Sequence, residues 1–262
     1  MSSASRSRAV PPTCGTQPLV RQSTWSLDAL RASEEQPPGP RALSAALRAA
    51  LHDSLWHSLS SEYDARHLSA FLRDSGLALS AAFWAMERAW ALDENKHYCA
   101  LRWLYSRVYG VSECDVAAQL EQRQPDFTAL RPLLADEFSL CVVLAFDELA
   151  SARSYARDRR RFRGFGPVAV RLFQCAARDE FLHCRNALDL VRTFHADRRH
   201  DVASVLAAVI AHDVSPQFRY GATFLLDQII APRENEIDEA WLRDCANKVQ
   251  MYLNLKDGAS CC

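Results

Sequence analysis

The chain has 262 residues, of which 49% are hydrophobic, and its formal net charge is −1. This length suffices for one large domain or two small ones with a sizeable core. Because the net charge is close to zero, the composition gives no support to a nucleic acid or a membrane surface as the partner. The nine cysteines are scattered and odd in number, so we predict buried thiols in a reducing compartment and no disulfide framework.

The two ends of the chain differ in composition from its middle. Residues 1–40 are rich in Ser, Pro and Arg, carry no acidic residue before Asp28 and lack a hydrophobic signal core. They predict a disordered leader, with an organellar transit peptide as the alternative. Residues 257–262 predict a flexible tail, whose Cys261–Cys262 pair does not fit the prenylation box. No apolar run approaches the roughly 18 residues of a membrane span. We therefore predict that residues 41–256 form one domain of a bacterial-like cytoplasmic protein, with an organellar stroma or matrix as the alternative location.

From about residue 41 onward the hydrophobic pattern is helical nearly throughout, and no segment shows the period of two that indicates a strand. Gly76, Gly110 and the glycines of "RGFGP" interrupt this pattern and are typical of helix ends. We predict an all-α fold of two helical hairpins, joined by a long crossover over residues 110–132 and followed by additional C-terminal helices. The predicted helices cover about 41–73, 80–109, 133–159, 168–194, "DVASVLAAVIAHDV", 217–230 and 236–254.

Two Glu-x-x-His motifs lie inside apolar helical segments. Glu94 and His97 occur in "ALDENKHYCALRW", and Glu180 and His183 occur in "RDEFLHC". Residues three apart share one face of a helix, so each motif would direct a carboxylate and an imidazole toward the core. Buried groups of this kind are costly unless something pairs with them, and a metal ion is one such partner. The alternative for either motif alone is a surface pair or a hydrogen-bonded core histidine.

A glutamate precedes each motif by the same distance along the chain. Glu62 lies 94 − 62 = 32 residues before the first motif, and Glu148 lies 180 − 148 = 32 residues before the second. The midpoints fall at position 78 and at Gly164, inside two predicted helix breaks. Residues equidistant from the turn of an antiparallel hairpin lie at one level, here about 20 Å from the turn. Two packed hairpins would therefore bring four carboxylates and two imidazoles to one height. This is the donor set for a pair of iron or manganese ions.

The segments "RAWALDENKH" and "RDEFLH" contain the two motifs, "FDELAS" contains Glu148, and "SSEYDARHL" contains Glu62. Together they resemble the soluble acyl-carrier-protein desaturase branch of the ferritin-like di-iron proteins, with the weakest similarity around Glu62. The resemblance covers roughly residues 50–230 and implies a ferritin-like four-helix bundle. The chain departs from the family at Phe181 and Leu182, where charged residues are usual, and it is shorter than the plant members.

The resemblance implies two iron ions, with manganese as the alternative metal, bridged by Glu94 and Glu180. It also implies that Trp90 and Asp179 support the histidines and their surroundings from outside the metal site, and that Ser151 lies near the oxygen-binding side. The alternatives for these three are a core tryptophan, an ordinary polar neighbour and a small packing residue. The implied metal ligands are Glu62, Glu94, His97, Glu148, Glu180 and His183.

The function that the resemblance implies is an O2-dependent desaturase, acting on an acyl chain tethered to acyl carrier protein with electrons from a ferredoxin-type donor. The alternative is a di-iron hydroxylase or N-oxygenase on a free specialised metabolite, although Ala176 stands where the N-oxygenases have a further histidine. A metal-storage protein is a third class, and the long crossover argues against it. The arginine-rich segment 153–163 is either a docking surface for an acidic carrier or donor protein or a solvated helix end. A homodimer is compatible with the resemblance.

Overall fold

The computed structural model describes residues 19–33, 38–39, 42–215 and 238–254. Every regular element in these ranges is helical, and they contain no β-strand. The all-α fold class is therefore confirmed. The α-helices are α1 (Leu27–Arg31), α2 (Ala45–Asp74), α3 (Ala81–Tyr109), α4 (Glu113–Leu120), α5 (Glu137–Arg161), α6 (Pro167–Phe194), α7 (Val202–Asp213) and α8 (Glu239–Asn254). Short 3-10 helices cover Thr128–Leu130, Phe162–Phe165 and Ala196–Asp201.

Helices α2 and α3 form one antiparallel hairpin, and α5 and α6 form the other. The first hairpin turns at Gly76, whose φ of 74° is a left-handed conformation that favours glycine. The second turns at Gly166, whose φ is 97°. Pro167 follows as the first residue of α6, a position where the missing N–H of proline costs nothing. Both predicted hairpins are thus present, with their turns in the predicted breaks.

Side-chain caps set where the long helices begin. The Ser44 hydroxyl accepts a hydrogen bond from the backbone N–H of Leu47, so α2 begins after it and not near residue 41. The Asp136 carboxylate accepts from the backbone N–H of Ser139, so α5 begins after it and not near residue 133. Such caps satisfy N–H groups that have no partner within the helix. The hydrophobic pattern locates the helices, and the polar caps locate their ends.

The crossover between the hairpins contains α4, which buries Val116 and Leu120. Beyond α4, Arg123 Nη2 lies 2.5 Å from the Oδ2 atom of Asp64, a fully buried residue of α2. A buried carboxylate needs such a partner. This ion pair therefore holds the crossover against the first hairpin.

A polar layer divides the apolar core of the bundle into two clusters. Along α3, Trp90 belongs to one cluster and Tyr98 to the other. Along α6, Cys184 and Ala176 are divided in the same way. In each helix the change of cluster coincides with the buried Glu-x-x-His motif. The two motifs therefore lie in the middle of the bundle, between its apolar ends.

Helix α7 packs against α5 and α8, and α8 packs against α5 and α6. Helix α8 corresponds to the helix predicted at about 236–254. Their buried apolar residues include Leu206, Val209, Leu242 and Val249. Predictions on residues 1–18, 217–230 and 257–262 lie outside the described residues. None of the described helices is both long and apolar enough to span a lipid bilayer.

The prediction of a disordered leader is wrong for residues 19–33. This segment contains α1, which Ser26 caps. The backbone N–H of Arg21 donates to Asn186 Oδ1 at 3.0 Å, and the Arg21 guanidinium pairs with Asp189 of α6. A few specific polar contacts hold the segment on α6, and composition alone does not reveal such contacts.

Candidate metal centre

Six buried side chains from four helices meet at the polar layer. None of them is more than 7% exposed. The structure therefore brings together the complete set that sequence spacing placed at one level. The residues are Glu62 of α2, Glu94 and His97 of α3, Glu148 of α5, and Glu180 and His183 of α6.

The donor atoms of this set form two groups of four, and within each group all of them lie within 4.8 Å of one another. Glu94 and Glu180 belong to both groups, and a carboxylate with two oxygens can bridge two cations. Glu62 and His97 complete one group, which we name the His97 half. Glu148 and His183 complete the other, which we name the His183 half.

Both imidazoles direct Nδ1 toward the carboxylates of the layer. His97 Nδ1 lies 3.5 Å from Glu62 Oε2 and 3.3 Å from Glu180 Oε1. His183 Nδ1 lies 3.0 Å from Glu180 Oε2 and 3.2 Å from Glu148 Oε2. Each ring therefore points one nitrogen at the centre of the layer, as a metal ligand requires.

Two aspartates hold the outer nitrogens of the imidazoles, and each reaches the histidine of the other motif. Asp179 Oδ2 of α6 lies 3.0 Å from Nε2 of His97 on α3. Asp93 Oδ2 of α3 lies 3.2 Å from Nε2 of His183 on α6. An aspartate that accepts the Nε2–H group leaves Nδ1 free to bind a metal. Sequence analysis named Asp179 and missed Asp93, although the repeated Asp-Glu-x-x-His pattern carried the signal.

Lys96 connects the two aspartates, and Trp25 contacts both Lys96 and Asp179. Lys96 Nζ lies 2.8 Å from Asp93 Oδ1 and 3.2 Å from Asp179 Oδ2. The Trp25 ring centroid is 4.7 Å from the same ammonium group, and Trp25 Nε1 donates to Asp179 Oδ2 at 2.6 Å. Sequence analysis assigned neither residue a role. For Trp25 the reason is that the contact between the leader segment and α6 has no local signal in the sequence.

The carboxylates that belong to only one half each accept a hydrogen bond from an aromatic side chain. Trp90 Nε1 donates to Glu148 Oε1 at 2.7 Å, so Trp90 supports a carboxylate of the His183 half. The Tyr155 hydroxyl, which sequence analysis missed, donates to Glu62 Oε1. Ser151 is half-buried one turn after Glu148. Within the described chain no hydrogen bond links its hydroxyl to the six side chains.

The surroundings shift the pKa values of these groups in different directions. Burial and the charge of Glu180 raise the pKa of Glu94 and of Glu148 well above the usual range of a glutamate. Burial alone would also raise the pKa of Glu180, but the contacts with His97 and His183 lower it. Burial would lower the pKa of both histidines, but the carboxylates around them raise it well above the usual range. The layer therefore binds protons that a metal ion would displace.

The donor set fits divalent metal ions. Glu62 Oε2, Glu94 Oε1 and His97 Nδ1 are buried and have no hydrogen-bond partner among the described residues, and such atoms are rare in folded proteins. The four carboxylates of the set carry negative charges that two divalent cations would neutralise. Carboxylate and imidazole ligands together suit iron, manganese and zinc. The buried Glu and His groups can therefore hold metal ions.

Among the described residues, two cavities reach the polar layer. The inner cavity is narrow and reaches Glu148 and His183 between mostly apolar walls. The outer cavity is wider and reaches Glu62 and Glu94 between α2 and α3. Glu87 lines both cavities. The apolar wall of the inner cavity includes Leu68, Leu72, Phe83, Met86, Leu144 and Ala187.

Comparison with protein-family models gives no match to this chain, and comparisons with curated proteins and with solved structures give none either. Membership of the desaturase branch therefore stays a prediction. The case for a function rests on the geometry of the polar layer and of the two cavities.

Proposed function

We propose that this chain is an O2-dependent di-iron oxidoreductase that acts on a mostly apolar substrate. The observation that carries the proposal is the pair of donor groups sharing Glu94 and Glu180, beside an apolar cavity that reaches Glu148 and His183. A purely structural role would leave several buried charges without compensation, which is costly. A storage role would not require an apolar cavity at the metal ligands.

Two ferrous ions in this site would supply the chemistry, namely the reduction of O2 and the oxidation of an unactivated C–H bond with electrons from an external donor. The side chains of this chain would hold the ions, orient the imidazoles and position the substrate. Glu94 and Glu180 would hold both ions, while Asp93 and Asp179 keep the imidazoles in one orientation. The apolar wall of the inner cavity excludes water and positions the substrate beside the His183 half. Manganese is the alternative metal.

For the substrate, the resemblance favours an acyl chain tethered to acyl carrier protein, desaturated with electrons from a ferredoxin-type donor. Arg153, Arg159, Arg178 and Lys248 line an open groove between α5, α6 and α8. A groove of this charge suits an acidic carrier or donor protein, because complementary charges steer association.

A second candidate is the hydroxylation or N-oxygenation of a free small molecule. The small inner cavity favours this candidate, because it leaves little room beside Glu148 and His183. A long acyl chain would need a larger or more open cavity.

Metal content per chain after anaerobic reconstitution with ferrous iron tests the proposed function. We expect about two irons per chain and a change in visible absorbance when O2 is added. The variant Glu180→Ala is expected to lose the iron. The matched control Glu121→Ala, at an exposed residue that lines neither cavity, is expected to retain it. A folded wild-type chain without bound iron would refute the proposal.

Capture of holo acyl carrier protein by the iron-loaded chain separates the two substrate candidates. If the carrier is the partner, the double variant Arg159→Glu and Arg178→Glu should weaken its capture, since both residues line the basic groove. No capture by the wild-type chain would refute the carrier-tethered substrate and favour a free one.

A further inference from the structure

The six side chains of the candidate metal centre are at most 7% exposed, so a metal ion needs a passage to reach them from the surface. The two cavities differ in width. The inner cavity has a volume of about 20 Å³, which is room for about one water molecule. The outer cavity has a volume of about 300 Å³ and reaches Glu62 and Glu94. Of the two, only the outer cavity has room for a metal ion that carries hydration waters.

Glu87 is a buried carboxylate on the wall of the outer cavity, and it is not one of the six side chains. It is 3% exposed, and neither of its carboxylate oxygens has a hydrogen-bond partner among the described residues. Its ion pair with Arg73 is long, with 3.8 Å between Arg73 Nη2 and Glu87 Oε1, and the Arg73 side chain is 61% exposed. A buried charge with so little compensation is costly. A cation in the outer cavity would offset this cost.

Ser69 of α2 lies at the same level of the first hairpin as Glu87 of α3. Ser69 follows Glu62 by 69 − 62 = 7 residues, and Glu87 precedes Glu94 by 94 − 87 = 7 residues. Two helix turns, or about 10 Å, therefore separate this level from the metal ligands. Ser69 lines the outer cavity, is 7% exposed, and its hydroxyl has no hydrogen-bond partner among the described residues. Carboxylate and hydroxyl oxygens are donors that a hydrated divalent cation accepts.

We propose that divalent metal ions reach the candidate centre through the outer cavity, with Glu87 as the carboxylate that first binds the incoming ion. From Glu87 the ion would pass to Glu94 and Glu62, whose Oε1 and Oε2 atoms, respectively, have no hydrogen-bond partner in the described chain. Glu87 and Ser69 offer too few oxygens to replace all hydration waters, so binding at this level is transient. The inference rests on the metal binding in the proposed function and not on its O2 chemistry.

Three arginines line the outer cavity and are exposed, namely Arg66, Arg73 and Arg88. The Arg66 guanidinium lies over the Tyr63 ring, 3.7 Å from its centroid, and Arg73 faces Glu87. Positive charges at the mouth repel a cation, and the negative charge of Glu87 attracts it. The rate of metal uptake should therefore respond in opposite directions to the loss of Glu87 and to the loss of Arg73.

Stopped-flow mixing of the metal-free full-length chain with Co²⁺ tests the proposal, with the visible absorbance of bound Co²⁺ as the signal. We expect Glu87→Gln to slow the uptake by about tenfold at low ionic strength, while about two ions per chain still bind at equilibrium. Arg73→Gln removes a positive charge from the mouth and should speed the uptake by about threefold. Glu121→Gln, at an exposed glutamate outside both cavities, should behave as wild type.

A matched pair of steric variants distinguishes the two cavities as routes. Ala91→Leu narrows the outer cavity between Glu87 and Glu94 and should slow the uptake of Co²⁺. Ala187→Leu narrows the inner cavity and should leave the uptake rate unchanged. Circular-dichroism melting establishes that each variant folds, and Ala→Val replaces either change that prevents folding.

An uptake rate that Glu87→Gln does not change would overturn the proposal, and so would slowing by Ala187→Leu without slowing by Ala91→Leu. Loss of bound Co²⁺ at equilibrium in Glu87→Gln would also overturn it, because Glu87 would then be a ligand of the centre itself. A wild-type chain that binds no Co²⁺ would refute the metal centre together with its entry route. A chain that takes up metal by this route and does not react with O2 when loaded with iron would refute the oxidoreductase function alone.

Discussion

The two halves of the candidate metal centre have the same kinds of side chain and different surroundings. In both halves an Asp-Glu-x-x-His motif supplies the imidazole, and a further glutamate accepts a hydrogen bond from an aromatic side chain. The His97 half opens, through Glu62 and Glu94, on the outer cavity with its arginines. The His183 half opens on the apolar inner cavity.

The fold therefore repeats the candidate ligand set in both halves, and each half is reached from a different cavity. The apolar wall beside the His183 half excludes water, which strengthens electrostatic interactions there and protects a reactive site. We therefore expect the substrate beside the His183 half. The outer cavity is polar and open to solvent, so we expect protons to reach the layer on the side of the His97 half.

The largest expected effect is on the number of metal ions per chain, and it depends on whether a bridging or a terminal carboxylate is removed. Glu180→Ala removes a ligand from both halves and should abolish the binding of both ions. Glu62→Ala and Glu148→Ala each remove a ligand from one half, so each should leave about one ion of about two. Elemental analysis of zinc-loaded protein measures these numbers. Loss of both ions in Glu148→Ala would contradict two separable halves.

Thermal melting of the same variants without metal is the control for folding. Each substitution removes a partner of an imidazole or of an aromatic side chain and leaves a small cavity, so the metal-free variants should melt somewhat lower than the metal-free wild type. A variant that melts well below it would have to be replaced by the isosteric Glu→Gln change before its metal content is interpreted.

The next effect concerns Asp93 and Asp179, each of which contacts the histidine of the other motif. Asp93→Asn should weaken metal binding in the His183 half, and Asp179→Asn should weaken it in the His97 half, each by about 10–100-fold. Lys96→Met should weaken both halves, because its ammonium group contacts both aspartates. Competition titrations with a zinc chelator in the Glu62→Ala and Glu148→Ala backgrounds isolate each half. If Asp93→Asn weakened metal binding in the His97 half alone, Asp93 would not be the residue that supports His183.

A smaller effect is expected from the aromatic donors. Trp90→Phe removes the hydrogen bond to Glu148, and Tyr155→Phe removes the one to Glu62. Each should lower the metal affinity of its own half by about tenfold, as for a hydrogen bond to a charged group. Trp90 also lines the inner cavity, whereas Tyr155 does not.

The residues that sequence analysis found and those that it missed show which features of a site a sequence pattern can predict. The equal spacing of Glu62 and Glu148 from their motifs is a consequence of antiparallel hairpins, so it can be read along the chain. Tyr155 and Trp25 are different, because they reach a partner on another element whose rotation and approach no local pattern encodes. Asp93 lies between these cases, since the repeated pattern Asp-Glu-x-x-His contained it and only the structure shows that it holds His183 and not its own neighbour.

The hairpin turns and the leader segment show the same contrast between features that the local sequence predicts and features that depend on distant residues. Gly76 and Gly166 have positive φ values, and glycine marks such turns directly in the sequence. Segment 19–33 has a composition typical of disorder, and it is held by contacts to α6 through Arg21 and Trp25. Composition indicates how much apolar surface a segment can bury. It does not reveal a partner surface that is formed by residues far away in the chain.

The smallest expected effect is on the stability of the metal-free chain, and it acts through protons. Burial and the charge of Glu180 raise the pKa of Glu148, so its stabilising contribution is complete below the unfolded pKa of about 4.3 and is lost as pH rises through the raised folded value. Burial would lower the pKa of His183, but its carboxylate neighbours raise it, so its contribution is lost in the same direction above about pH 6.5. The metal-free chain should therefore lose stability as pH rises above about 4.3, by up to about 1.4 kcal/mol per pH unit for each proton involved.

Melting curves across this pH range measure the loss, which corresponds to about 2–4 °C for each kcal/mol in a domain of this size. Glu148→Gln imitates the protonated carboxyl group, so it should reduce the slope in the metal-free chain. Zinc-loaded wild type should show the opposite trend, because the metal displaces protons and binds more tightly as pH rises. A metal-free wild type whose melting temperature does not change with pH would show that the carboxylates of the layer are charged and solvated without a metal. Such a layer would need no cation to offset its buried charge, and the main physical reason for placing metal ions between the two halves would be removed.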